Sequence, residues 1–187
     1  MIKLAGGVSL AFRFPAPLPV AFAYYSDLRT VLHYLPHVEV NHVYGDDHFR
    51  LYYNSVEFGG YTMHIYCDIR ATFEDSLHMI RIVPEESPPE VEERAGINSS
   101  TARGTFTSQG LFFDEGQETR IEYEFELHSN LPRPLGMRLM PQRMVNGIAS
   151  NVARTRMREV AQGFIERSLA AFPEWCQQQA VSPDGNR

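Results

Sequence analysis

The stretch Pro19–Val38, PVAFAYYSDLRTVLHYLPHV, governs the reading of the whole chain. Apolar residues crowd from Val20 to Tyr25 at the density of a short helix, with proline in its first turn. Ser26-Asp27 then breaks that helix and caps a second one through Leu28, Val31, Leu32 and Leu35, which Pro36 stops. Two short helices in a row, closed by a proline, leave the chain at Val38 ready to enter an extended segment.

On the N-terminal side, Val8, Leu10, Phe12 and Phe14 alternate with Ser9, Ala11 and Arg13, the period-two pattern of a strand with one buried face. The Pro15–Pro19 run ends it. On the C-terminal side a long β region follows: Val38–Tyr44, a Gly45-Asp46-Asp47 turn, Phe49–Phe58, and a Gly59-Gly60 hairpin signal. In the next strand Tyr61, Met63, Ile65, Cys67, Ile69, Ala71 and Phe73 share the inner face, while His64, Tyr66 and Asp68 lie on the outer one. Met79–Val83 is another strand, and the acidic, proline-containing run Glu85–Ser100 reads as a surface loop. Ala102–Phe113 and Thr119–His128 form a hairpin across Asp114-Glu115-Gly116, with Ile121, Tyr123, Phe125 and Leu127 inward.

Pro132 and Pro134 mark a change to helix, expected from about Gly136 to Phe172 with Pro141 kinking or restarting it. On a helical wheel Val145, Ile148, Ala149, Val152, Ala153, Met157, Val160 and Phe164 share one broad arc. These patterns add up to an α+β fold of about seven strands and one long C-terminal helix. Residues 1–173 form a single domain and residues 174–187 a polar, flexible tail.

Composition narrows the function. A length of 187 residues suits one domain with a sizeable core. The net charge of −6 argues against a nucleic-acid partner, because phosphate binding draws on clustered Lys and Arg. Cys67 and Cys176 have neither metal-ligand spacing nor an obvious reason to meet, which points to a reduced, cytoplasmic setting. No run approaches the ~20 apolar residues of a membrane span, which leaves only transient membrane contact open. The sequence carries no glycine-rich phosphate loop, paired-cysteine motif or nucleophile elbow. His33 and His37 have helical metal spacing, but Pro36 lies between them and no third ligand is evident. No catalytic residue, metal site or cofactor is expected.

The order strand, two short helices, six strands, long helix resembles the helix-grip fold of the Bet v 1-like superfamily, which includes START lipid-transfer domains and polyketide cyclases. The most specific part of that resemblance is Val20–Leu28 through His33–Val38, helix, acidic cap, second helix and proline-led start of the second strand. The resemblance implies a curved sheet wrapped around the last helix, with a cavity between them for a lipid, isoprenoid or pigment-like ring compound. A fold by itself does not confer a function.

The side chains expected to converge on such a cavity are Met63, Ile65 and Cys67, Phe106, Tyr123 and Phe125, and Ile148 and Val152. The competing reading is that they fill an ordinary core. Arg156 falls near the middle of the apolar arc of the long helix, where an unpaired guanidinium would be costly. Either it holds an acidic group of a ligand, or it pairs with Glu159 or a sheet carboxylate or snorkels outward. Three functions follow. A non-enzymatic carrier of a hydrophobic small molecule leads; a cyclase or aromatase acting in the same cavity comes second. The third is a protein-interaction module with a filled interior, using exposed aromatic loops or the Met137, Leu139 and Met140 region, which could equally gate a cavity.

Overall fold

The computed structural model describes residues 1–57 and 60–181. The hairpin signal at Gly59 and the end of the strand at Phe58 lie outside the described residues, as do residues 182–187 of the expected tail. The first strand, β1 (Ile2–Phe14), begins six residues before Val8, because Ile2 and Leu4 continue the buried parity across Gly6. It pairs along its whole length with the last strand, β8 (Thr119–Leu131), from Ile2 opposite Leu131 to Phe14 opposite Thr119.

Between them come α1 (Leu18–Ser26) and α2 (Leu28–Val31), the second capped by the Asp27 carboxylate, which accepts from the Thr30 amide. A 3-10 turn over Leu32–Tyr34 carries the chain to β2 (Val38–Val43), β3 (His48–Glu57), β4 (Tyr61–Glu74) and β5 (Met79–Pro84). The two residues of β6 (Arg94–Ala95) precede β7 (Ser99–Asp114). Among the described residues the sheet has eight strands, in keeping with the expected seven or so, in the order β1-β8-β7-β5-β4-β3-β2, with β6 paired to β7. Strand β6 lies in the segment read from sequence as loop, since two residues are too short for any alternation to register.

Where β5 ends at Pro84, β7 pairs directly with β4 in parallel, from Thr62 opposite Ser99 to Tyr66 opposite Arg103. That switch of neighbour curls the sheet, and the displaced chain crosses its convex face. It is tied down there by Asp68, whose side chain is 1 % exposed. The Asp68 carboxylate accepts from Arg50 Nε at 2.7 Å and from Arg50 Nη2 at 3.0 Å. Arg50 and Arg103 in turn both donate to the Pro89 carbonyl.

The long helix, α3 (Gln142–Val181), lies in the concave face. It starts directly after Pro141, consistent with a proline that restarts the helix. It does not stop at Phe172 but runs through Pro173. A mid-helix proline costs about 3 kcal/mol. Here that cost is offset by aromatic packing on both sides of it: Phe172 lies 4.6 Å from Phe14 and Trp175 5.1 Å from Tyr24, centroid to centroid. The same end of α3 is fixed by polar contacts. Tyr24 Oη donates to the Ser168 carbonyl at 2.7 Å, and Tyr25 Oη shares a hydrogen bond with Ser168 Oγ at 2.8 Å. Burial holds both phenols protonated by pushing their pKa values up.

Ser168→Ala should therefore lower the unfolding free energy by about 1–3 kcal/mol, the cost of leaving the Tyr25 hydroxyl unpartnered. The double variant Ser168→Ala/Tyr25→Phe should lose less than the sum of the two single changes in urea denaturation.

Candidate functional site

Three spaces line up between α3 and the sheet. The largest, of about 370 Å³, is walled by Ile2 and Leu4 of β1, Tyr61 and Met63 of β4, Leu131, Met137 and Met140, and Val145, Ile148, Ala149 and Val152 of α3. Tyr61 is the one polar side chain among these. A middle gap of about 50 Å³ shares Leu4, Met63 and Val152 with that chamber and adds Cys67, Phe106 and Arg156. A third gap, of about 30 Å³, reaches Phe106, Tyr123 and Phe125. The two smaller gaps hold no more than a few water-sized volumes, whereas the chamber falls within the roughly 300–1,000 Å³ of small-molecule sites.

The reason for the taper is side-chain size. Toward the C-terminal half of α3, Phe164 meets Tyr123 at 5.6 Å and Phe125 at 6.0 Å, and Tyr25 closes on Tyr123 at 5.9 Å. Toward its N-terminal half α3 offers Val145, Ile148 and Ala149, which do not span the same separation.

Of the side chains expected to converge, Met63, Ile148 and Val152 thus wall the chamber. Cys67, Phe106 and Arg156 line the middle gap, while Tyr123 and Phe125 belong to the aromatic end. Ile65 is fully buried and borders none of the three spaces; it fills the place opposite Gly104, where a Cβ would come within 2.7 Å of Ile65 Cγ2.

Arg156 is half-buried and already paired. Its Nε and Nη2 donate to the Glu57 carboxylate at 2.7 and 3.3 Å, and Nη1 donates to Glu159. Glu57 is the kind of sheet carboxylate that the apolar arc around Arg156 called for. His37 joins the far side of Glu159 at 3.1 Å, so the group links the start of β2, the end of β3 and α3 across one side of the middle gap. Hydrogen bonds from His37 and Arg156 hold the Glu159 carboxyl below its usual pKa.

Comparison of the sequence with family models and with curated proteins finds no match. Solved structures do match. A Thermus thermophilus protein aligns over 88 % of this chain and 98 % of its own at 19 % identity, TM-score 0.51. A conserved protein from Geobacillus kaustophilus aligns over 91 % and 96 % at 9 % identity, TM-score 0.52. The di-domain ARO/CYC StfQ from the steffimycin biosynthetic pathway aligns over 93 % of this chain at 9 % identity and TM-score 0.50, with 52 % of its own length covered. The shared architecture is a helix-grip fold, a curled antiparallel sheet wrapped around a long C-terminal helix. At such identities the likeness establishes the fold alone.

The grip uses several residues that sequence pattern did not single out. Leu4 borders both the chamber and the middle gap, and its signal was parity: Ile2 and Leu4 match Val8 to Phe14 if the strand is allowed to pass through Gly6. Glu57 and Ser55 continue the inner face of Phe49, Leu51 and Tyr53, which turns polar at its end. Met137 and Met140, offered by the sequence as part of an interaction region, reach the chamber from the segment before α3. Cys67 is closed in by the same packing, and burial pushes its thiol up to about 12.

Two outcomes follow. At neutral pH an alkylating reagent should label Cys176 and spare Cys67 until the protein is unfolded, read by mass spectrometry of the intact chain. Arg156→Met should cost about 1–3 kcal/mol by leaving the Glu57 carboxylate uncompensated, and adding Glu57→Gln should recover most of it.

Proposed function

We propose that the chain binds an uncharged, largely apolar small molecule in the chamber between α3 and the sheet, and carries it rather than transforming it. The observation that carries this reading is the chamber: about 370 Å³ walled by eleven side chains, ten of them without a side-chain polar group. Burying ~300 Å² of ligand there at ~25 cal/mol/Å² gives roughly 7 kcal/mol before association entropy is subtracted, which makes apolar burial the main driving force for binding and leaves affinity to rise with ligand size. Methionines at 63, 137 and 140 suit a wall that accepts related shapes, because their unbranched side chains re-pack at low cost.

Charge argues for a neutral ligand. Arg156, the cation at the middle gap, is held by two carboxylates, so it is no ready anchor for an acid. A reaction of cyclase or aromatase type needs at least two titratable groups facing the bound chain. The chamber wall supplies the Tyr61 hydroxyl, whose pKa burial raises, which favours carriage over catalysis.

Nile red added to the full chain should show blue-shifted fluorescence that saturates. Ala149→Phe, which puts a ring into the chamber, should weaken that binding by about tenfold or more while the folded state remains intact by circular dichroism. Binding of equal strength by a folded Ala149→Phe variant would move the ligand out of the chamber, and no saturable binding by the wild-type chain would end the proposal.

A further inference from the structure

The surface around the chamber mouth has a composition unlike the rest of the molecule. From Leu127 to Arg158 the sequence holds six arginines and neither aspartate nor glutamate, in a chain whose net charge is −6. Within that span Leu139 is fully exposed, Met144 and Leu135 are about half exposed, and the neighbouring Ile97 is 71 % exposed. The backbone brings Ile97 beside Leu135, and Leu139 and Met144 follow within the next nine residues of the chain. The Gly136 amide donates to the Ile97 carbonyl at 3.2 Å and the Leu135 amide to the Gly96 carbonyl at 3.3 Å, so the two loops lie side by side.

The patch is continuous with the chamber. Met137 and Tyr61 wall the chamber on one side and an outer groove with Ile97, Asn98 and Gly136 on the other. Arg133 stiffens the rim by donating to the Met137 carbonyl at 2.9 Å and to the Met140 carbonyl. Arg138 and Arg143, both exposed, form no ion pair among the described residues.

We propose that this patch docks the protein on the surface of an anionic lipid bilayer, with Leu135, Leu139, Met144 and Ile97 entering the headgroup region and Arg138 and Arg143 meeting lipid phosphates and carboxylates. The chemistry selects that occupant. Fully exposed leucine beside unpaired arginine suits a surface that is apolar below and negative above. A nucleic acid would use the arginines and leave the apolar side chains in water. An interfacial position also puts the chamber mouth against the acyl boundary, where an apolar molecule would pass without crossing water. No helix among the described residues is long and apolar enough to cross a membrane, so the contact is peripheral.

Vesicle co-sedimentation of the full, ligand-free chain tests this separately from the chamber. Phosphatidylserine-containing vesicles should retain the protein and phosphatidylcholine vesicles should not. Arg138→Gln/Arg143→Gln should reduce retention roughly thirtyfold, and Leu139→Ser/Ile97→Ser about tenfold or more, with unchanged thermal melting. Arg167→Gln, an exposed arginine in the distal half of α3, should leave retention unaltered. Equal retention on both vesicle types, retention on neither, indifference to both double variants, or capture by a short DNA duplex in preference to lipid would each overturn the proposal. Nile red binding by the unaltered chamber stays measurable whichever way the sedimentation falls.

Discussion

The distance between α3 and the concave face of the sheet is the constraint on which the rest of this molecule depends. It is set where glycine removes a Cβ from the contact. A methyl group on Gly6 would lie 2.9 Å from the Ala153 carbonyl carbon, and one on Gly163 would lie 2.5 Å from Pro36 Cγ. Backbone thus approaches backbone at β1, and the helix touches the proline that ends the short-helix pair. With the helix axis held there, what fills the remaining space is a matter of side-chain volume. Phenylalanine and tyrosine close one end; alanine and valine leave the other unfilled. A single rigid separation therefore yields a packed core and a chamber in the same layer.

Polar groups are arranged around that layer without entering the chamber, save at Tyr61. Asp68 on the convex face draws Arg50 and Arg103 together and, through the Pro89 carbonyl, fastens the crossing segment between β5 and β7. Arg156 joins β3 to α3 through Glu57, and Ser168 joins α1 to α3. Each of these ties links elements far apart in sequence, so the curled sheet and the helix resist sliding past each other. The charge distribution adds a second asymmetry, with the acid-free span lying at the open end and the aromatic closure at the other.

Much of the architecture was legible because it rests on local periodicity. The buried alternation of β4 and β8, the Asp27 cap and the restart at Pro141 all depend on residues within a few positions of one another. The misses have the opposite character. Pro173 argues locally for a helix end, and only packing against the distant rings of Phe14 and Tyr24 makes continuation of the helix favourable. Ile65 shares the parity of Met63 and Cys67, yet Gly104 on a neighbouring strand admits it into the core while they border open space. Arg156 stood out as a charge on an apolar arc, whereas its partner Glu57 looked like any strand carboxylate until β3 and α3 were brought together.

By itself the sequence determined which segments are strands and helices, which face of each is apolar, and that one arginine in the helical stripe would require a partner. The tertiary structure alone decided where apolar side chains meet and where they fall short. Hydrophobic pattern specifies that a face will leave water, but the volume enclosed depends on the sum of side chains contributed by strands and helices that no local period connects.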